Sequence, residues 1–392
     1  MKRFKKVLVV SVSTMMVACG ILFFLLQPVL VLGQYPPYSG DNKFDWKQPA
    51  YDASKKTVFI IADNKLTEMF DMLAPYYMFK ATGKLNVYII AKKKAPIQIK
   101  KDLFVLPQLS FAEVDSLKLL ADVIVIPALS IRDDKQDPKV ISFIKQHFTP
   151  ETRMLAVCDG AATAAATGLF DGKPITCHAS DFKMLSSHFS KPQWIQQVSV
   201  AHSGNLYSTA GVSNAVEGSL MVINDLFGRT VMQKVAADIH YSHPDILTSH
   251  QSIAIETGSK LTIATKVIAR KNRKIGMLLQ DGINEFQMVS ILDTYGRTFP
   301  KLIRCIMLSD STIQTKYGLT LVCSGGDQSK DLDEIHILQP TNDTTIASIS
   351  RDTETVKYNL DYKYPIDVCL LRIGELYGDK FQNVVKLMLD YN

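Results

Sequence analysis

The sequence predicts an α/β protein: a parallel sheet covered by helices on both faces, built twice in one chain and preceded by one transmembrane helix. Three observations lead there. Short apolar runs such as TVFIIA (57–62), LNVYIIA (85–91) and the second half of LKLLADVIVIPA (117–128) alternate with helical stretches, which is the pattern of strands buried on both faces. The same order of blocks returns after residue 273. Residues 7–33 carry no charge over a length that crosses a bilayer with some tilt.

The segment 1–33 is a basic tip, MKRFKK, followed by that apolar run. A cleaved signal has an apolar core of only about 7–15 residues, so an uncleaved anchor is expected. The positive-inside rule then makes this a single-pass protein of the cell membrane, with the tip cytoplasmic and the folded part extracytoplasmic. Cleavage after Gly33, and a lipoprotein-like box MVACG ending at Cys19, stay open as other readings. Residues 34–56, rich in proline and tyrosine, read as an extended spacer.

A chain of 392 residues, 47% hydrophobic and 21% charged, is long enough for two folded domains. Of the net charge of +6, four positive charges fall in residues 1–33, where there is no acid. The remainder offers no electrostatic case for binding nucleic acid. Six cysteines without a CxxC pair suggest neither a disulfide scaffold nor zinc, the histidines form no spaced metal set, and no cofactor is expected.

The first domain is read as 57–245. After the strand at 57–62, EMFDMLAPYYMFKATG (68–83) is a helix ending at Gly83, with Pro75 near its opening turns. PKVISFIKQHF (138–148) is an amphipathic helix, RMLAVCD (153–159) a strand, GAATAAATGLF a helix, and 214–241 a closing helix pair. Residues 246–273 read as a linker and 274–392 as a degenerate copy. In that copy KIGMLLQDGINEFQMVSILDTYG repeats the first strand and helix, but nothing corresponds to the strand of Cys158 and its alanine-rich helix.

MLAVCDGAATAAATGLFDG (154–172) stops an apolar run at Cys158, turns at Gly160 and continues as a helix. A thiolate is the attacking species, and unpaired N–H groups at a helix start favour an anion. A cysteine at that junction gains acidity, and the backbone N–H groups of its neighbours Asp159 and Gly160 can hold an oxyanion. The bland reading is a small buried hydrophobe. The same holds for Cys177, Cys305, Cys323 and Cys369, which fall in core-like segments.

MLAVCDGAATAAATGLFDGKPITCHASDF resembles the nucleophile region of the ThiJ/PfpI superfamily, within the class I glutamine amidotransferase-like, flavodoxin-like fold. The form it resembles most is the domain fused to AraC-type regulators. Cys158, Gly160, Ala161, the GLFDGK run, Thr176 and His178 match its pattern, and FDMLAPYYMF resembles its first-helix signature, with Asp71 at the carboxylate position. The resemblance covers about residues 57–241. It implies that Cys158, Asp71 and His178 converge as nucleophile, proton-sharing carboxyl and base or orienting group, and that the Ala128 loop supplies a further oxyanion donor. Glu68, one turn earlier, is the runner-up carboxylate, with Glu285 as its counterpart in the copy. The chain departs from the family at Asp159, at PALS (127–130) in place of a glycine pair, and at Ala179 after the histidine.

Two functions follow. One is an anchored enzyme using Cys158 on a small electrophile or peptide, as a hydrolase, hydratase or lyase. The other is a non-catalytic module that binds a ligand or partner or senses oxidation. The two halves are expected to form an internal pseudo-dimer or the first a homodimer.

Overall fold

The computed structural model describes residues 38–40, 43–46, 48–129, 136–243, 246, 250–269, 272–308, 312–324, 331–341 and 353–391. The apolar segment 7–33 and Cys19 lie outside them. Among the described residues no helix is long and apolar enough to cross a membrane.

The first half contains strands β1 (Lys56–Ala62), β2 (Leu85–Ala91), β3 (Ile97–Lys100), β4 (Leu103–Val105), β5 (Leu109–Ser110), β6 (Val123–Ile126), β7 (Arg153–Ala156), β8 (Pro174–Ile175), β9 (Gln193–Trp194), β10 (Val200–Ser203) and β11 (Leu206–Thr209). Its helices are α1 (Met69–Ala81), α2 (Phe111–Ser116), α3 (Pro138–His147), α4 (Gly160–Ala166), α5 (Phe182–His188), α6 (Ala215–Phe227) and α7 (Arg229–Asp238). Seven strands form one sheet in the order β10-β11-β7-β6-β1-β2-β5, parallel except where β10 meets β11.

β1 lies at the centre and is apolar on both faces because both are covered. Val58 and Ile60 join the core that includes α1 and α6, while Phe59 and Ile61 join the one that includes α3 and α4. α1 is buried along nearly its whole length and runs unbroken through Pro75. It closes at Thr82 and at Gly83, which turns with φ +67°.

The second half contains α8 (Thr257–Ala269), β12 (Lys274–Leu279), α9 (Glu285–Gly296), β13 (Leu302–Met307), β14 (Thr312–Gln314), β15 (Thr320–Cys323), β16 (Glu334–Ile337), β17 (Glu354–Lys357), α10 (Pro365–Tyr377) and α11 (Asp379–Leu389). Helix α8 falls where a linker was expected, and it packs against α11. The second sheet, β13-β12-β16-β17, is parallel and repeats the order β2-β1-β6. β17 leads into α10 as β11 leads into α6, yet it pairs with β16, where the first half has β7. The sheet thus closes over the position of the elbow strand.

The two halves are knitted together. β4 pairs antiparallel with β15, so the two hairpins make one sheet, β14-β15-β4-β3. Helix α1 packs along α9, with the Phe70 and Phe286 rings 5.9 Å apart. Tyr76 donates from its hydroxyl to the Tyr317 carbonyl at 2.9 Å. One apolar core runs from Ile60 through Phe286 to Leu389. Each large side chain buried in it stabilises by about 1.5–3 kcal/mol, so neither half presents this face to water.

Candidate active site

The elbow forms because β7 ends at Ala156 and α4 begins at Gly160, leaving three residues to reverse the chain. Cys158 takes φ +54°, a left-handed conformation that costs a non-glycine residue of order 1–3 kcal/mol and recurs at functional sites. Its N–H donates to the Thr209 hydroxyl at the end of β11, 3.2 Å away. Gly160 cannot be anything larger: a Cβ there would sit 2.0 Å from the Ile126 carbonyl oxygen of β6.

Helix α1 aims two acids at the sulfur. Glu68 is its N-cap, with Oε2 accepting from the Asp71 N–H at 2.7 Å. Asp71 is fully buried; its Oδ2 accepts from the Ala128 N–H at 3.0 Å, and its Oδ1 has no hydrogen-bond partner. The Glu68 N–H in turn donates to the Ala128 carbonyl at 2.8 Å. The loop after β6 is therefore clamped to the start of α1.

These acids raise one another. Burial, then the neighbouring Glu68, holds the Asp71 carboxyl well above the usual carboxylate range. Glu68 is pushed up to about 7 by burial and by Asp293, with Arg297 opposing. Burial, then Asp71, Asp159 and Glu68, lifts the Cys158 thiol well above its ordinary range, while the Asp159 N–H pulls it down. The thiol is only 5% exposed.

The expected oxyanion donors have separate tasks. The Ala128 N–H serves Asp71, and the Gly160 N–H donates to the Val157 carbonyl at 2.8 Å. The Asp159 N–H faces the sulfur. Thr176 is buried, its N–H donating to the Ser208 hydroxyl and its own hydroxyl left without a partner.

His178 looks elsewhere. Its Nδ1 accepts from the Ser180 N–H at 3.2 Å, which places the proton of the neutral ring on Nε2. Burial lowers its pKa, and the charges that act on it are those of Asp390, Arg297 and Asp181. Asp390 follows α11 with φ +54° and pairs with His250 at 3.1 Å. It is seated so tightly that a Cβ on Gly211 would lie 2.1 Å from its own Cβ.

Glu285 is not the counterpart of Glu68. The N-cap of α9 is Asn284, accepting from the Gln287 N–H, so Asn284 and Gln287 stand where Glu68 and Asp71 do in α1. The loop before α9 is one residue shorter, which shifted the register. Glu285 instead accepts from the Tyr317 N–H at 2.7 Å and from the Thr315 hydroxyl, holding the turn before β15.

Sequence reasoning missed Arg297, Asp293, Asp390 and His250, all from beyond residue 245. Arg297 is at the C-cap of α9, with Nη2 2.9 Å from Asp293 Oδ2 and 3.6 Å from Glu68 Oε1. The repeat itself was the available signal, since a copied helix that packs on α1 delivers its own last turn to the α1 N-terminus. Among the described residues no group of three His, Cys, Asp or Glu gathers as a metal site. A groove of about 830 Å³ lies apart from the elbow, between the end of α7 and the start of α10, with Tyr241, Tyr362 and Leu371 in its walls.

Residues 55–224 match the model of the DJ-1/PfpI family. That segment is a DJ-1/PfpI domain. Relatives include the isonitrile hydratase of Pseudomonas putida, 23% identical over 221 residues, covering 56% of this chain and 90% of that protein. The protein dj-1beta of Drosophila melanogaster is 25% identical over 185 residues, covering 47% of this chain and 95% of that protein. The crystal structure of Drosophila DJ-1beta aligns over 48% of this chain and all of its own, with a TM-score of 0.43 and 21% identity. A ThiJ/PfpI family protein from Pseudomonas syringae aligns with a TM-score of 0.41 and 19% identity, over 54% of this chain and 84% of its own. The cysteine elbow, Asp71 and His178 all fall within the DJ-1/PfpI domain.

Proposed function

We propose that the DJ-1/PfpI domain uses Cys158 to add water to a small, uncharged electrophile, a hydratase reaction of which isonitrile hydration is the model. The observation that carries this reading is the juxtaposition of the strained Cys158 with a fully buried Asp71 whose carboxyl is raised toward its protonated form. A thiol beside a neutral carboxylic acid has both parts of an addition. The sulfur bonds to the terminal carbon of the isonitrile, and the thiol proton passes by way of the carboxyl group to the substrate, giving a thioimidate. Water then adds to that carbon, the carbon–sulfur bond breaks, and a formamide leaves with the thiol restored. A substrate bearing its own carboxylate would meet the acids Glu68 and Asp159, which is why an uncharged one is favoured.

The test is to incubate the protein with a small alkyl isonitrile and follow the formamide and the protein mass. Formamide release and an adduct on Cys158, both lost in Cys158→Ser and turnover slowed about 10²–10⁴-fold in Asp71→Asn, are expected. Equal formamide release from wild type and Cys158→Ser would end the reading.

The burial of Cys158 favours a second reading, a redox-responsive or ligand-binding module without turnover. Peroxide would then add oxygen to Cys158 selectively while no electrophile is processed. For the whole chain we propose attachment to the cell membrane through residues 7–33, with both halves outside the cytoplasm, supported by the uncharged run and the basic tip. Loss of the protein from the membrane fraction on deleting 7–33 is the expected result. We also propose that the second half is a degenerate copy acting as an internal partner, supported by the repeated strand order and the shared sheet β14-β15-β4-β3. It predicts a monomer by light scattering.

A further inference from the structure

The DJ-1/PfpI match ends at residue 224, yet the site does not. Helix α9 of the second half ends beside the N-terminus of α1, and its C-cap Arg297 reaches across. The guanidinium is fixed on its own helix by Asp293, at 3.1 Å from Nε and 2.9 Å from Nη2. From there Nη2 faces Glu68 Oε1 at 3.6 Å. The other oxygen of Glu68 caps α1 at the Asp71 N–H, and the Asp71 carboxyl holds the Ala128 loop. An unbroken series of contacts therefore joins the second half to the carboxyl beside the sulfur.

We propose that Arg297 is a positioning residue of the Cys158 site, supplied by the second half to hold the Glu68 carboxylate over the start of α1. This rests on reading Cys158 as a reactive thiol. The charges that act on the sulfur are those of Asp71 and Glu68 from α1 and Asp159 from the elbow, and Cys158 in turn adds to those that raise Arg297. The first three are acids, so removing the cation leaves burial and like charge unopposed. Asp293 competes with Glu68 for the same guanidinium, and His178 also lies within its field. A merely structural Arg297 would affect stability and leave the titration of its neighbours alone.

The experiment follows two readouts in the full chain. One is the pH profile of Cys158 alkylation by iodoacetamide, with Cys158→Ser as blank. The other is the Glu68 carboxyl titration by ¹³C NMR, assigned with Glu68→Gln, which needs no sulfur reactivity. Arg297→Gln is expected to slow alkylation about tenfold at each pH and to move the Glu68 midpoint above about 7. Arg297→Lys recovers part of both. Asp293→Asn, which removes the competing carboxylate, moves both the other way and carries the test with Arg297→Lys if Arg297→Gln fails to fold. Profiles and midpoints that coincide with wild type in these variants would overturn the proposal. A wild-type Cys158 that is never alkylated would instead end the reading of a reactive thiol, while the Glu68 midpoints still decide the role of Arg297.

Discussion

Glu68 and Asp71 in the first half and Glu334 in the second are carboxyl groups drawn into the interior, and they are pushed in opposite directions. In the first half Asp71 and Glu68 are raised by burial and by each other, with Arg297 the cation that opposes for Glu68. In the second, burial acts against Glu334 too, but His336 and Arg372 overcome it and hold that carboxyl down at about 2. Glu334 lies 2.9 Å from Arg273, 2.8 Å from Arg372 and 3.2 Å from His336. A buried acid with that many partners is settled as an anion and fixes structure. A buried acid with too few holds a proton that it can give away. The second half kept the sheet, and at the positions of Glu68 and Asp71 it has the uncharged Asn284 and Gln287, its first-turn acid Glu285 being turned to Thr315 and Tyr317 instead.

The contrast can be broken most forcefully at Glu334. Glu334→Gln leaves His336 beside a neutral amide and Arg273 and Arg372 sharing Glu354, and a loss of about 3 kcal/mol in urea unfolding is expected, with the Cys158 alkylation profile kept. Gly160→Ala comes next. Its methyl group meets the β6 backbone, and a loss of about 1–3 kcal/mol with a displaced elbow should show as lowered Tm and altered Cys158 labelling.

Asp71→Asn is the smallest change in stability, within about 1 kcal/mol near pH 4, because the native group is already neutral. Its value lies in the pH dependence. A carboxyl raised on folding stabilises below its unfolded pKa and loses that contribution as pH rises. For Glu68 the window runs from 4.5 to about 7, and for Asp71 it starts at 3.8. Glu334 is lowered, so its contribution is complete above 4.5 and is lost as pH falls toward about 2. Asp71→Asn should flatten the decline above pH 4 and leave the acid limb unchanged in unfolding curves taken across pH. An unchanged decline would place the proton of Asp71 elsewhere.

What was legible in the sequence was whatever local pattern dictates. The strands β1, β2 and β6 are apolar runs because both sheet faces are covered, and the turn at Gly160 follows from a strand meeting an alanine-rich helix. The carboxylates of α1 were legible through the resemblance of FDMLAPYYMF to the family's first-helix signature, which marked Asp71 and, one turn earlier, Glu68. The site beyond that was not, because Arg297 and Asp390 reach it through tertiary packing of one half on the other, which leaves no periodic trace. The α8 helix was missed because TGSKLTIATKVIA buries only Ile263 and Lys266, so its apolar stripe is thin. The register of α9 was misread because a one-residue loop difference is invisible until the N-cap is seen.

The seat of Asp390 against Gly211 has a consequence in time. Ribosomes deliver the chain from its amino end, and domains fold as they emerge. Asp71, Cys158 and Gly211 leave the ribosome 319, 232 and 179 residues before Asp390 does, and Cys158 leaves it 139 residues before Arg297. During that interval the nascent elbow exists without Arg297 and without the cover over His178. The pocket therefore reaches its final charge state only when the trailing helices dock.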